Sequence, residues 1–89
     1  MADESQNKES MKEAIKTLNQ ITLSNSTPKT IKKAIMDLVT DLNNAEYSLS
    51  VRAANTISLL DDVTQDPNVP SYVRTQLWQA VSKLESIRE

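Results

Sequence analysis

Hydrophobic residues recur along this chain with the period of an α-helix, in four separate segments. In the first, Met11, Ile15, Leu18 and Thr22 follow at steps of four, three and four residues, which places them on one face of a helix. Three later segments repeat the pattern with Ile31, Ala34, Ile35, Leu38 and Leu42, then Leu49, Ala53, Ile57, Leu60, Val63 and Thr64, then Val73, Leu77, Ala80, Val81, Leu84 and Ile87. The pattern predicts four amphipathic helices.

Caps and prolines give the expected boundaries. Ser10 with Glu13 matches a capping box, and Ser5 offers a start one turn earlier. Thr27 followed by Pro28 is typical of an N-cap and a first helical residue. We therefore expect a single domain over residues 1–89, a flexible segment at 1–7, and helices at about 8–24, 28–43, 48–65 and 70–87.

The second half of the chain repeats the first. A shift of 42 residues places Ile15 on Ile57 and Pro28 on Pro70 without a gap. Other matched pairs are Leu18 with Leu60, Thr22 with Thr64, Lys32 with Arg74, Met36 with Trp78, Val39 with Val81 and Leu42 with Leu84. Two copies are few for an open stack of repeats. We predict an all-α, compact four-helix bundle made of two pseudo-repeated helical hairpins, with an open HEAT-like pair as the alternative.

Composition narrows the chemistry. The chain has no Gly, Cys or His, which excludes Gly-rich phosphate loops, thiolate zinc sites and His general bases. Left-handed helix caps would then fall to asparagine, at Asn25, Asn43, Asn44 and Asn68. Carboxylates cluster at Asp61, Asp62 and Asp66, and as a pair at Asp37 and Asp41, but a di-iron bundle site also needs His. We expect no metal, no cofactor, no evident small-molecule substrate and no enzymatic activity.

The segment from 48 to 84 resembles an uncharacterised family of short archaeal all-helical proteins. The resemblance rests on SLSVR at 48–52, DPNVPS at 66–71 and RTQLW at 74–78. It implies a helical bundle and an intracellular archaeal source. It implies no activity.

Arg74 and Trp78 are neighbours on the fourth helix because they are four residues apart. In one interpretation Trp78 packs at the edge of the core and the guanidinium covers its ring. In the other, Trp78 anchors a partner or a second copy, since Trp and Arg are favoured at binding hot spots. Arg52 lies near the apolar face of its helix and needs a carboxylate or carbonyl partner, with Asp61, Asp62 and Asp66 as candidate carboxylates; anion binding is its alternative role.

Basic residues offer a different function. The candidate phosphate contacts are Lys12, Lys16, Lys29, Lys32 and Lys33. The net charge of −2 argues against a dominant nucleic-acid role. No apolar run is long enough to span a membrane. We expect a cytoplasmic protein-interaction or structural module centred on Arg74, Trp78 and Arg52, with a weak nucleic-acid or nucleoprotein accessory as the alternative.

Overall fold

Four α-helices account for most of residues 4–87, the part of the chain that the computed structural model describes. They are α1 (Glu4–Leu23), α2 (Lys29–Leu42), α3 (Leu49–Thr64) and α4 (Ser71–Glu85). Residues 4–7 belong to the start of α1 rather than to a flexible segment, so Ser10 lies inside the helix and not at its cap. Of the expected flexible segment, residues 1–3 lie outside the described residues.

The helices close on one another as a bundle. α1 packs against both α2 and α4, α3 packs against the same two helices, and α1 also contacts α3 across the centre. The radius of gyration is 12.4 Å, close to the roughly 12 Å that a compact domain of this length should have. The contact between α1 and α4 joins the two ends of the helix series. This confirms the closed four-helix bundle over the open HEAT-like pair.

The core is aliphatic and follows the internal repeat. Leu18 and its repeat mate Leu60 are fully buried, and so are Ile35 and its mate Leu77. α2 occupies the positions that α4 occupies 42 residues later, apart from one extra residue at the end of α4. The two hairpins are therefore equivalent in structure as well as in pattern, related by an exchange of α1 with α3 and of α2 with α4.

The helix ends differ from expectation. No residue from 4 to 87 has a positive φ, so the predicted left-handed asparagine caps are wrong at Asn25, Asn43, Asn44 and Asn68. Asn43 ends α2 with φ −90° and ψ 2°, an ordinary turn conformation. Thr27 is not the side-chain cap of α2 either, since the cap residue is Pro28 and its carbonyl accepts the first helical bond from Lys32. Backbone N–H groups of the turn after each helix satisfy several of its last carbonyls, and side chains from the following helix or loop bind the carbonyls of Ile21, Leu42 and Thr64.

Candidate functional site

Arg74 holds the end of α3. Its Nε donates a hydrogen bond to the backbone carbonyl of Thr64 at 2.9 Å. Its Nη2 donates to the carbonyls of Asp66 and Val69, both at 3.4 Å. A guanidinium is suited to this role because several N–H donors point outward in one plane. Arg74 thus fastens the α3–α4 corner to α4, and these bonds, not the ring of Trp78, hold its guanidinium.

Arg52 performs the same task one corner earlier. Its Nη1 donates to the carbonyl of Leu42, the last residue of α2, at 3.0 Å. Its Nε donates to the backbone carbonyl of Ser48 at 3.4 Å. Arg52 needs a carboxylate or carbonyl partner at this place, and its partners are carbonyls. The candidate carboxylates Asp61, Asp62 and Asp66 are not its partners, because within residues 4–87 Arg52 forms no salt bridge.

The aspartates at the end of α3 have local roles. Asp61 accepts a hydrogen bond from the side-chain amide of Gln65 at 3.3 Å. Asp66 Oδ1 accepts from the backbone N–H of Asn68 at 2.9 Å, an Asx turn that follows the end of the helix. The described residues hold no group of three or more potential metal ligands.

At each of the three corners, a side chain donates a hydrogen bond to a carbonyl near the end of the preceding helix. At the first corner, between α1 and α2, the hydroxyl of Thr27 donates to the carbonyl of Ile21 at 3.0 Å. At the second and third corners, Arg52 and Arg74 each bind the carbonyl ten residues earlier in the chain. A helix leaves its last carbonyls without intrahelical partners, and a buried one needs a donor. In a chain without glycine, these side chains provide it.

Trp78 lies on the outer side of α4 with its side chain open to solvent. It is 50% exposed, whereas its neighbour Leu77 is fully buried. Its repeat mate Met36 is 59% exposed on the outer side of α2. The structure therefore separates the predicted trio: the two arginines are engaged with backbone carbonyls, while Trp78 remains available for contact.

The lysines proposed for nucleic-acid contact divide between two helices. Lys12 and Lys16 are exposed and border a shallow groove on α1, which also includes Ile15 and the exposed Leu23. The others, Lys29, Lys32 and Lys33, lie in the first turns of α2. Lys32 occupies the position that Arg74 holds in the second hairpin, but at its corner Thr27 provides the bond to the helix end.

A polar cleft between α2 and α3 is a feature that the pattern of the chain did not reveal. Its volume is about 280 Å³. It is lined by Asp41, Asn44, Tyr47, Arg52, Asn55, Thr56 and Leu59. Six of these side chains carry a hydrogen-bonding or charged group. One signal was present in the sequence: the repeat mate of Thr56 is Ala14, so a hydroxyl occurs where the first copy has a methyl group.

The fold and these corners define a class: a closed bundle of two equivalent helical hairpins with side-chain-capped helix ends. The model of the uncharacterised protein family UPF0147 matches residues 1–87. The chain belongs to this family, which confirms the resemblance of residues 48–84.

Relatives and solved structures agree with the assignment. The UPF0147 protein of Sulfurisphaera tokodaii is 37% identical over the full length of both chains, and that of Metallosphaera sedula is 40% identical over 93% of each. A crystal structure of a UPF0147 protein from Thermoplasma acidophilum superposes with a TM-score of 0.87 at 31% identity, over 94% of this chain and 99% of that one. The crystal structure of the unknown function protein MMP1188 gives a TM-score of 0.84 at 38% identity, over 90% of this chain and 91% of that one. These descriptions name no activity.

None of the helices within residues 4–87 combines the length and the hydropathy that a membrane span requires.

Proposed function

We propose that this protein is a small cytoplasmic interaction module that binds a protein partner through the outer face of α4, with Trp78 as the anchor. The observation that carries the proposal is the half-exposed indole on a chain whose core is otherwise aliphatic. A large aromatic side chain that is open to solvent loses apolar hydration when a partner covers it, and Trp is the residue type most favoured at such anchors.

The arginines support this role indirectly. Arg74 precedes Trp78 by one turn and fixes the corner from which α4 begins. A rigid helix start holds the indole in place, which reduces the ordering cost of binding. The proposed contact surface is therefore centred on Trp78, and Arg74 positions the start of its helix, while Arg52 performs the equivalent task at the α2–α3 corner. The role is one of binding, without a catalytic step.

The test compares Trp78→Ala with Met36→Ala, because the two residues occupy equivalent positions in the two hairpins and are similarly exposed. Each tagged variant is used to capture proteins from native lysate, with and without nuclease, and its fold is checked by circular dichroism. Sedimentation over a range of concentrations measures self-association. We expect Trp78→Ala to abolish a specific capture or self-association that Met36→Ala retains, with both variants folded.

Three results would contradict the proposal. If both variants retain the capture, Trp78 is not the anchor. If Trp78→Ala unfolds the chain, the indole belongs to the core. If nuclease removes the captured material, the alternative function through Lys12, Lys16, Lys29, Lys32 and Lys33 replaces this one, and binding should then weaken steeply with added salt.

A further inference from the structure

The two hairpins meet along two seams that the internal repeat makes equivalent, but only one is tightly closed. The seam between α1 and α4 is the more extensive. It is bridged by the ion pair between Lys83 and Glu13 at 2.8 Å and by the hydroxyl pair of Ser86 and Ser10, also at 2.8 Å. The seam between α2 and α3 is the less extensive, and the polar cleft lies there.

The two seams carry different residues at equivalent positions of the repeat. The mate of Lys83 is Asp41 and the mate of Glu13 is Asn55, and both line the cleft. In the first seam these positions hold a direct salt bridge. In the second, a carboxylate and a carboxamide take the same places and leave polar groups directed at an open space.

Thr56 brings a polar group to the inner wall of the cleft. The residue is only 1% exposed, and it is one of the residues that line the cleft. Within residues 4–87 the other core-facing threonines hydrogen bond to carbonyls: Thr27 to Ile21 and Thr64 to Asp61. The hydroxyl of Thr56 makes no such bond to the described residues. Among the described residues no buried side-chain oxygen or nitrogen lacks a partner, so the Thr56 hydroxyl is open to the cleft that it lines. Alanine occupies the equivalent position 14.

The cleft also contains two opposite charges that are not paired with each other. The described residues form ion pairs only between Lys8 and Glu4 and between Lys83 and Glu13. Arg52 uses Nε and Nη1 on backbone carbonyls, so its Nη2 remains for another acceptor. Asp41 provides a carboxylate at the same cleft, and Leu59, which is partly exposed, provides an apolar wall.

We propose that the α2–α3 cleft binds a free α-amino acid. The ligand's carboxylate accepts from the Nη2 group of Arg52, and its ammonium group donates to Asp41. Thr56 and the carboxamides of Asn44 and Asn55 supply further hydrogen bonds, and the ligand's side chain lies against Leu59.

The volume of about 280 Å³ is at the small end of ligand pockets, which begin at roughly 300 Å³, and it suits a molecule of this size. The site is separate from Trp78, so it does not depend on the proposed interaction surface.

The test is a titration of the isotope-labelled full chain, followed through its backbone amide resonances. Each proteinogenic L-amino acid is added to about 10 mM, which saturates a site with a Kd near 1 mM. Acetate and methylammonium are added separately, because each carries only one of the two charges. We expect at least one amino acid to shift the amides of Asn44, Arg52 and Asn55 in a saturable way, and neither single-charge probe to do so.

Matched variants then test the named groups. Asp41→Asn should weaken the binding by about tenfold or more, since it removes a charged hydrogen-bond partner. Thr56→Val keeps the shape of the side chain, and it should weaken binding roughly 2- to 10-fold through the loss of a neutral hydrogen bond. Lys83→Asn changes the equivalent position of the closed seam and should leave the affinity unchanged. The absence of saturable shifts with every amino acid overturns the proposal, as does acetate binding equal to that of the amino acid, or an equal effect of Asp41→Asn and Lys83→Asn.

Discussion

Removal of the Arg74 side chain should destabilise the domain more than removal of an exposed charge that binds no helix end. In Arg74→Ala, the carbonyl of Thr64 at the end of α3 loses its donor at 2.9 Å. A hydrogen bond from a charged donor contributes about 1.5–3 kcal/mol to stability. The two bonds at 3.4 Å are near the limit for hydrogen bonding and add little. We therefore expect a loss of about 2 kcal/mol in the free energy of unfolding.

Chemical denaturation followed by circular dichroism measures this loss directly. For a domain of this size, 2 kcal/mol corresponds to a fall in Tm of about 8–16 °C. Arg74→Lys should recover only part of the stability, because an ammonium group keeps the charge but lacks the planar set of donors. Lys32→Ala is the matched control, since Lys32 is the equivalent residue at a corner where Thr27 provides the bond. It should change stability by less than about 0.5 kcal/mol.

A loss from Arg74→Ala no larger than the loss from Lys32→Ala would contradict this role of the Arg74 hydrogen bond. Full recovery of the parent stability by Arg74→Lys would contradict it as well. The first outcome would mean that water satisfies the carbonyl of Thr64 equally well. The second would mean that a positive charge alone, acting on the end of α3, accounts for the effect.

Two further substitutions test the core and the closed seam by the same denaturation assay. Leu60→Ala should lower the free energy of unfolding by about 2–5 kcal/mol because the side chain is fully buried. Leu23→Ala is the control: this side chain is 80% exposed, so its loss should change stability by less than about 0.5 kcal/mol. Similar losses in the two variants would contradict the core assignment. Lys83→Ala breaks an ion pair whose side chains are 51% and 43% exposed, so its cost should be below about 1 kcal/mol and should shrink in high salt. A larger, salt-independent loss would show that the side chain stabilises the seam by packing.

The helix pattern predicted the architecture well because each stripe of apolar residues needs an apolar partner. The stripe of α4 shows this: Val73, Leu77 and Leu84 are all buried. Helix ends were less predictable. Asn43 was expected to adopt a left-handed conformation, on the assumption that a helix without glycine ends through asparagine. The structure instead satisfies the last carbonyl of α2 from Arg52, ten residues later in the chain.

The partners of the two arginines could not be chosen from the sequence for a related reason. The periodic pattern places Arg52 near the apolar face of its helix, where its charge needs an acceptor. It places Arg74 beside Trp78, whose ring was one candidate contact for the guanidinium. Carboxylates are visible in a sequence as residue types, whereas a free carbonyl is a property of where a helix ends and how the next one packs. The acceptors became evident only once both helix ends had positions in space.

The internal repeat explains why the cleft was missed and also why it is informative. Hydrophobic periodicity makes the two hairpins equal, so it predicts two equal seams. Their difference resides in polar residues at matched positions: Glu13 and Lys83 close one seam, while Asn55 and Asp41 leave the other open. A bundle that needed only stability could have closed both seams with the same ion pair. The hydroxyl of Thr56, where the first copy has the alanine at position 14, adds a second polar group at the same place. Two independent departures from the repeat converge on one cleft, and this convergence favours a bound ligand over an accident of packing.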